Sequence, residues 1–208
     1  MAIIDFTQGI QEQISFQFSD FMLKRSDAQG MMNNIPAPIL ATGNGLTDPN
    51  VVHLFDSEEA FADWARMTRL APKFAKIDEL ARNLQIQNRI ACDEILVANG
   101  REHTVVSNED LILPASAGFA QTDDLAVVYE NAEFGGRSHT LEAGAMPNLS
   151  MLGLFNQISS VRVSGICLLT DRTWFHGARL YLVGAPMLEV SDLKAWGFNN
   201  RAASAIVM

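Results

Sequence analysis

One two-part pattern occurs twice between residue 129 and the end of the chain, and it limits the possible fold more than any other feature. The first copy opens with Tyr129-Glu130-Asn131-Ala132-Glu133-Phe134-Gly135-Gly136 and closes with Asn156-Gln157-Ile158-Ser159-Ser160-Val161-Arg162-Val163. The second opens with Thr170-Asp171-Arg172-Thr173-Trp174-Phe175-His176-Gly177 and closes with Asn199-Asn200-Arg201-Ala202-Ala203-Ser204-Ala205-Ile206-Val207. An aromatic-x-Gly hairpin and a polar Asn/Ser turn, repeated about 41 residues later, form an internal duplication. Each copy has room for four strands, the size of one Greek key. Strand signals run over 125–129, 138–141, 161–164, 166–169, 179–183 and 205–207, with Gly, Pro, Asn and Asp between them. Short strands punctuated in this way predict an antiparallel sandwich.

The hairpin spacing has a physical logic. Tyr129 and Phe134 stand five residues apart on a chain that must fold back on itself. Gly136 supplies a backbone conformation closed to residues with a Cβ. Ser160 and Ser204 stand where a hydroxyl would tether the folded hairpin. With both hairpins and both turns in order, residues 125–208 resemble a βγ-crystallin domain, two Greek keys packed as a sandwich. One departure is Thr170, which replaces the leading tyrosine in the second copy; Trp174 is the residue placed to compensate.

The resemblance implies calcium. Microbial members of that family carry a six-residue signature: Asn/Asp, Asn/Asp, any, any, Ser/Thr, Ser. The first copy here is Phe155-Asn156-Gln157-Ile158-Ser159-Ser160, which has lost its leading polar residue. The second is Asn199-Asn200-Arg201-Ala202-Ala203-Ser204, which has lost its hydroxyl ligand to Ala203. In the family each ion draws a hydroxyl from one motif and turn ligands from the other. Carried over, one intact site uses the Glu130 carbonyl, the Ser159 hydroxyl, the Asn199 side chain and the Arg201 carbonyl. A second, degenerate site is left with Asn156, Gln157 and the Asp171 carbonyl, because Phe155 and Ala203 offer no side-chain oxygen. Calcium accepts carbonyl, amide and hydroxyl oxygens, but ligand charge sets much of the affinity, and the intact set is neutral. The same Asn and Ser residues also suit turns held by local hydrogen bonds.

The first 120 residues carry no comparable motif. Residues 9–25 place Ile10, Ile14, Phe18, Phe21 and Met22 at helical spacing, while Ile14, Phe16 and Phe18 also fit a period of two. Residues 30–50, with Gly30, Pro36, Pro38, Gly43, Gly45 and Pro49, read as a long loop. Asp56 followed by Glu59 reads as a capping-box start for a helix to about Leu70. Pro72 suits the first turn of another helix, whose inner stripe is Phe74, Ile77, Leu80, Ala81, Leu84, Ile90 and Ile95. Asn99-Gly100 is its expected stop, and Gln85 to Asn88 a point of interruption. The expected class is therefore α+β. A mainly helical region over 1–120 precedes an all-β double Greek-key sandwich over 121–208, with keys at about 125–164 and 166–208.

Composition narrows the function. Apolar residues make up 48% of 208 residues, enough for a core, and the net charge is −9. Residues 1–120 hold sixteen acids against nine bases, and 121–208 hold eight against six. No basic stripe exists, so nucleic acid is not an expected partner. No apolar run reaches membrane-spanning length, the first residues lack a secretory pattern, and only Cys92 and Cys167 are present. A cytoplasmic protein that touches no membrane is expected. The sequon Asn148-Leu149-Ser150 is read as chance on that basis.

Enzyme signatures are missing. His53, His103, His139 and His176 form no zinc-type pair, and His139 and His176 are expected at the surface. Gly43-Asn44-Gly45 lacks the context of a phosphate loop and reads as a turn. Cys92, eleven residues before His103, reads as a buried cysteine. Glu58-Glu59, Asp78-Glu79 and Asp93-Glu94 are adjacent acids that cannot share one helix face. The expected function is non-enzymatic calcium binding with a structural or stress-protective role. The competing reading is an interaction or inhibitory module, its calcium sites decayed, that meets a protein partner through the helical region. An enzyme in residues 1–120 would need a pocket joining His53 or His103 to a carboxylate.

Overall fold

The computed structural model describes residues 15–19, 21–46, 51–98 and 125–208, without the side chains of 90–98. The N-terminal part contains β1 (Ser15–Phe18), β2 (Phe21–Leu23), α1 (Arg25–Asn34), β3 (Ile39–Thr42), β4 (Val51–Phe55), α2 (Glu58–Arg66) and α3 (Ala71–Ala98). Most of its described residues are helical.

Two expectations for this part are corrected. The described residues 15–19 and 21–23 hold two paired strands rather than a helix, so the two-residue period prevails. It puts Phe16 in the core, where β1 runs parallel to β4. Residues 30–46 are no loop. Helix α1 continues through Gly30 to Asn34, and β3 follows with all four residues buried. A strand covered on both faces shows no alternation, and four residues are too few to outweigh the flanking Pro and Gly. Expectations for residues 9–14, 47–50, 99–100 and 101–120 lie outside the described residues.

The next two helices follow the sequence more closely. Ser57, not Asp56, is the cap of α2; its hydroxyl accepts the Ala60 N–H at 3.2 Å. Helix α3 runs unbroken through 85–88, with Pro72 in its first turn, where a missing N–H costs nothing. Its Phe74, Ile77 and Ala81 are buried, and Leu80 and Leu84 pack beside them.

The C-terminal part contains β5 (Leu125–Tyr129), β6 (Ser138–Glu142), β7 (Gly144–Met146), β8 (Ser160–Thr170), β9 (Arg179–Val190) and β10 (Ser204–Val207). Strands β8 and β9 pair antiparallel along most of their length, with a register shift between Val163 and Gly165. The first half of β8 pairs with β5, which pairs with β6; its second half pairs with β10, which pairs with β7. The two long strands therefore pass from one layer of a sandwich to the other. The third strand of each key crosses over as well. β7 joins β10 of the second key, and the end of β9 joins the start of β8. Val128, Val161, Val163, Cys167, Leu180 and Val207 fill the space between the layers.

The second layer continues into the N-terminal part. β3 pairs parallel with β9 (Ile39↔Arg179 to Thr42↔Leu182), and the sheet runs on through β4, β1 and β2. The Gly43-Asn44-Gly45 turn seats this junction. Asn44 Oδ1 accepts the Ala185 N–H at 2.7 Å, and its Nδ2 donates to the Met187 carbonyl at 2.6 Å. A Cβ on Gly43 would stand 2.1 Å from the Val183 carbonyl oxygen, so the approach requires glycine. Helices α2 and α3 cover the outer face of this layer, and α1 packs on the opposite side through Ala28.

Candidate functional site

The repeat is a physical two-fold. In each hairpin a pair of residues adopts left-handed backbone: Glu133 and Phe134 (φ 54 and 57), Trp174 and Phe175 (φ 58 and 60). Such angles strain residues with a Cβ, so each hairpin needs an anchor. The serines supply it. Ser160 Oγ accepts the Phe134 N–H at 3.1 Å and donates to the Asn131 carbonyl at 2.6 Å. Ser204 Oγ accepts the Phe175 N–H at 3.0 Å and contacts the Arg172 carbonyl at 2.9 Å. In the first hairpin Tyr129 meets Phe134 edge-on at 5.5 Å, and the Arg162 guanidinium lies 4.1 Å over Phe134. In the second, the buried Thr170 hydroxyl contacts Ser204 Oγ instead, so hydroxyls close the corner that an aromatic ring closes in the first.

The closing turns cross between the two keys. The Ser159 N–H donates to the Tyr129 carbonyl at 2.9 Å, and the Ala203 N–H donates to the Thr170 carbonyl at 2.7 Å. The Asn200 N–H reaches over to the Ile158 carbonyl at 2.9 Å, and the Asn156 N–H to the Ala202 carbonyl at 3.0 Å. Asn156 and Asn200 both sit in left-handed backbone, at φ 54 and 53, which asparagine tolerates. These bonds bring the expected groups together in two sets. Glu130, Ser159 and the 199–201 turn meet at one end. Asp171, Ala203 and the 155–157 turn meet at the other.

At the first set Ser159 is 6% exposed, and its hydroxyl donates to Asn200 Oδ1 at 3.0 Å. The side chain brought to Ser159 is thus that of Asn200, beside the expected Asn199. Which of two adjacent asparagines reaches Ser159 depends on the left-handed turn, which spacing alone does not reveal. The Glu130 side chain faces Arg137, accepting from Nε at 2.8 Å and Nη2 at 2.5 Å. Hydrogen bonds from Arg137 hold that carboxyl below its usual range. Its charge is therefore matched, and the set offers neutral oxygens. A calcium ion suits such oxygens, with solvent completing its shell.

The second set offers fewer side-chain oxygens. Phe155 is exposed, and Ala203 is buried with no side-chain oxygen to give. The Asp171 side chain is already occupied, which leaves only its carbonyl: Oδ1 accepts the Ala178 N–H at 2.8 Å, and Oδ2 pairs with Arg201 Nη2 at 2.6 Å. Among the described residues no three His, Cys, Asp or Glu side chains converge as a metal cluster.

Other sequence candidates resolve simply. Asn148 is buried, and its side chain accepts the Ser150 N–H at 2.9 Å, a turn role for the sequon. His139 and His176 are exposed. Cys167 is buried, and burial pushes its thiol up to about 12, which makes it inert. A groove of about 530 Å³ beside β4 and α2 does bring His53 to a wall shared with Asp56 and Asp63. There the His53 ring packs 4.8 Å from Trp64, and Asp63 pairs with Arg66 at 2.9 Å. Both carboxylates are exposed. Among the described residues no helix is long and apolar enough to cross a membrane.

Residues 125–207 match the family model for Beta/Gamma crystallin, so a domain of that kind spans the two keys. Among solved structures, a beta gamma crystallin from Ciona intestinalis is 24% identical, covers 40% of this chain and 99% of its own, and has a TM-score of 0.37. A betagamma-crystallin from an archaeon is 25% identical over 41% of this chain and 98% of its own, with a TM-score of 0.36. A betagamma-crystallin domain from Flavobacterium johnsoniae is 27% identical over 41% of this chain and 94% of its own, also with a TM-score of 0.36. No curated protein matches the chain.

Proposed function

We propose that this chain binds calcium at one site between its two Greek keys and serves a structural, non-enzymatic role. The observation that carries this reading is the contact of the buried Ser159 hydroxyl with the Asn200 side chain, 3.0 Å apart and drawn from opposite keys. Two polar side chains from different keys meet there. The residues that would hold the ion are Glu130 and Arg201 through their carbonyls, and Ser159 and Asn199 through their side chains. Asn200 Oδ1 adds an oxygen that the signature alone did not count. The bound ion supplies a positive charge shared by both turns. Asn156, Gln157 and Asp171 form the degenerate counterpart, because Ala203 and Phe155 lack the required oxygens.

Neutral ligands imply weak binding, with a dissociation constant of roughly 10⁻⁵ to 10⁻³ M. An ion bound only by the folded chain stabilises it by about 2.7 kcal/mol at a hundred times that constant. The test is calorimetric titration of the full chain with calcium, with magnesium as control. One calcium per chain and little heat from magnesium is the expected result. Ser159→Ala should abolish most of the binding, and Ala203→Ser alone should restore little at the second set, because Phe155 remains. No calcium heat from the unaltered chain would overturn the reading; an unchanged affinity in Ser159→Ala would overturn the residue assignment.

A further inference from the structure

The two closing turns carry one clamp built in two chemistries. Gln157 and Arg201 occupy equivalent places in the two copies, as do Glu130 and Asp171. With its amide turned to suit its neighbours, Gln157 donates to Glu130 Oε1 at 3.1 Å and to the Gly153 carbonyl at 3.2 Å. Arg201 donates to Asp171 Oδ2 at 2.6 Å and to the Gly197 carbonyl at 2.8 Å. The acceptors correspond one to one. Each clamp takes the carboxylate that follows the first hairpin residue, and the carbonyl of a left-handed glycine, at φ 68 for Gly153 and 69 for Gly197. A neutral amide does in the first key what an ion pair does in the second.

The second clamp is the more restrictive. Asp171 is fixed from behind by the Ala178 N–H, and a Cβ on Gly177 would lie 2.0 Å from Asp171 Oδ1, so the hairpin closes tightly on the carboxylate. Arg201 also lies 5.5 Å over the Phe198 ring. The 199–201 turn is therefore held at two points: by the Asn200 N–H on the Ile158 carbonyl, and by the Arg201 side chain on Asp171. That turn carries Asn200, whose side chain meets Ser159, together with Asn199 and Arg201, which are assigned above as ligands.

Resting on the calcium reading above, we propose that Asp171 is a positioning residue for the intact site, acting through the Arg201 side chain. By signature Asp171 belongs to the degenerate site; its carboxylate orders the turn that supplies ligands to the other. A turn ordered before the ion arrives loses less freedom on binding, and affinity rises without any new ligand. The Arg201 and Asp171 side chains are 46% and 17% exposed, so the pair adds little to global stability, and its effect is local.

The experiment is calcium calorimetry on the full chain after chelator treatment, paired with thermal unfolding in chelator. Asp171→Asn and Arg201→Ala should each weaken calcium binding roughly three- to tenfold. The double variant should lose no more than either single one, because both remove the same clamp. Arg201→Gln should lose less affinity than Arg201→Ala, since glutamine makes the equivalent contacts in the first key. Unfolding in chelator should move little in every variant. Single variants that bind like the unaltered chain, or losses that multiply in the double variant, would overturn the clamp. So would losses that track a fall in chelator stability, which is a purely structural role. If Asp171→Asn fails to fold, the contrast of Arg201→Ala with Arg201→Gln decides alone. An unaltered chain that gives no calcium heat sinks the calcium reading and the clamp with it; normal binding in the unaltered chain and all variants sinks only the clamp.

Discussion

At the scale of single residues, the hairpin serines carry the sharpest stability prediction. Ser204 is fully buried, and its Oγ is the acceptor for the Phe175 N–H, itself in left-handed backbone. Ser204→Ala strands that donor, while the Thr170 hydroxyl keeps the Arg172 carbonyl at 2.9 Å, at a cost of about 1–3 kcal/mol. Ser160→Ala strands the Phe134 N–H, but the first hairpin keeps its Tyr129–Phe134 ring contact and the Arg162 cation above Phe134. Urea unfolding should therefore show the larger loss for Ser204→Ala; equal or reversed losses would mean that ring contacts, not hydroxyl tethers, hold the corners. The tethers were legible because each serine ends the polar turn that closes its copy of the repeat. Which asparagine meets Ser159 was not, because adjacent residues carry the same chemistry. The Arg201–Asp171 clamp was hidden for a different reason. An Arg–Asp pair thirty residues apart leaves no spacing signal. Aligning the two copies, and noticing that Gln157 and Glu130 repeat it, is the one sequence route to it.

At the scale of elements, the contact of α3 with β9 depends on a half-buried carboxylate. Tyr181 donates its hydroxyl to Asp78, and Arg179 stands 3.9 Å from Asp78 while pairing with Glu58 at 2.6 Å. Burial is the leading influence on Asp78 and raises its carboxyl above the usual value, against the pull of Tyr181, Arg179 and Arg82; Glu58 adds to the rise. A raised acid binds its proton more tightly folded than unfolded. The folded state is therefore favoured while Asp78 is protonated, and this contribution is lost as pH rises from about 4 through the raised value. Asp78→Asn keeps an oxygen for Tyr181 and removes the titration. Its melting temperature, relative to the unaltered chain, should climb as pH goes from about 4 to 7. A gap that stays flat across that range would show that Arg179 fully offsets the burial. The helices themselves were legible, since α2 and α3 keep a clear apolar stripe. β1 and β3 were not, because each is short and takes its order from pairing: β1 along β4, and β3 between β4 and β9.

At the scale of the whole molecule, the Greek-key sheet and the N-terminal part share one core on their common face. Phe61, Phe74 and Ile77 from α2 and α3 cluster with Leu168, Tyr181 and Ile206 from the sandwich. Phe61 stacks on Tyr181 at 4.7 Å, and Phe74 meets it edge-on at 5.5 Å. Backbone pairing of β3 with β9 runs through the same region, so neither part can leave without baring the other's apolar face and breaking a ladder. Unfolding should then be a single cooperative transition for the described body. Two reporters can be separated, since Trp174 and Trp196 lie in the sandwich while most helical signal comes from α1 to α3. In a Trp64→Phe background, tryptophan fluorescence and helical circular dichroism should fall together with urea. Phe74→Ala, which empties a buried site in α3, should lower both midpoints by the same amount, equivalent to about 3–5 kcal/mol. If the circular dichroism transition moves while the fluorescence transition stays, the sandwich is stable without its helical cover. The shared core would then be a docking contact between independent units.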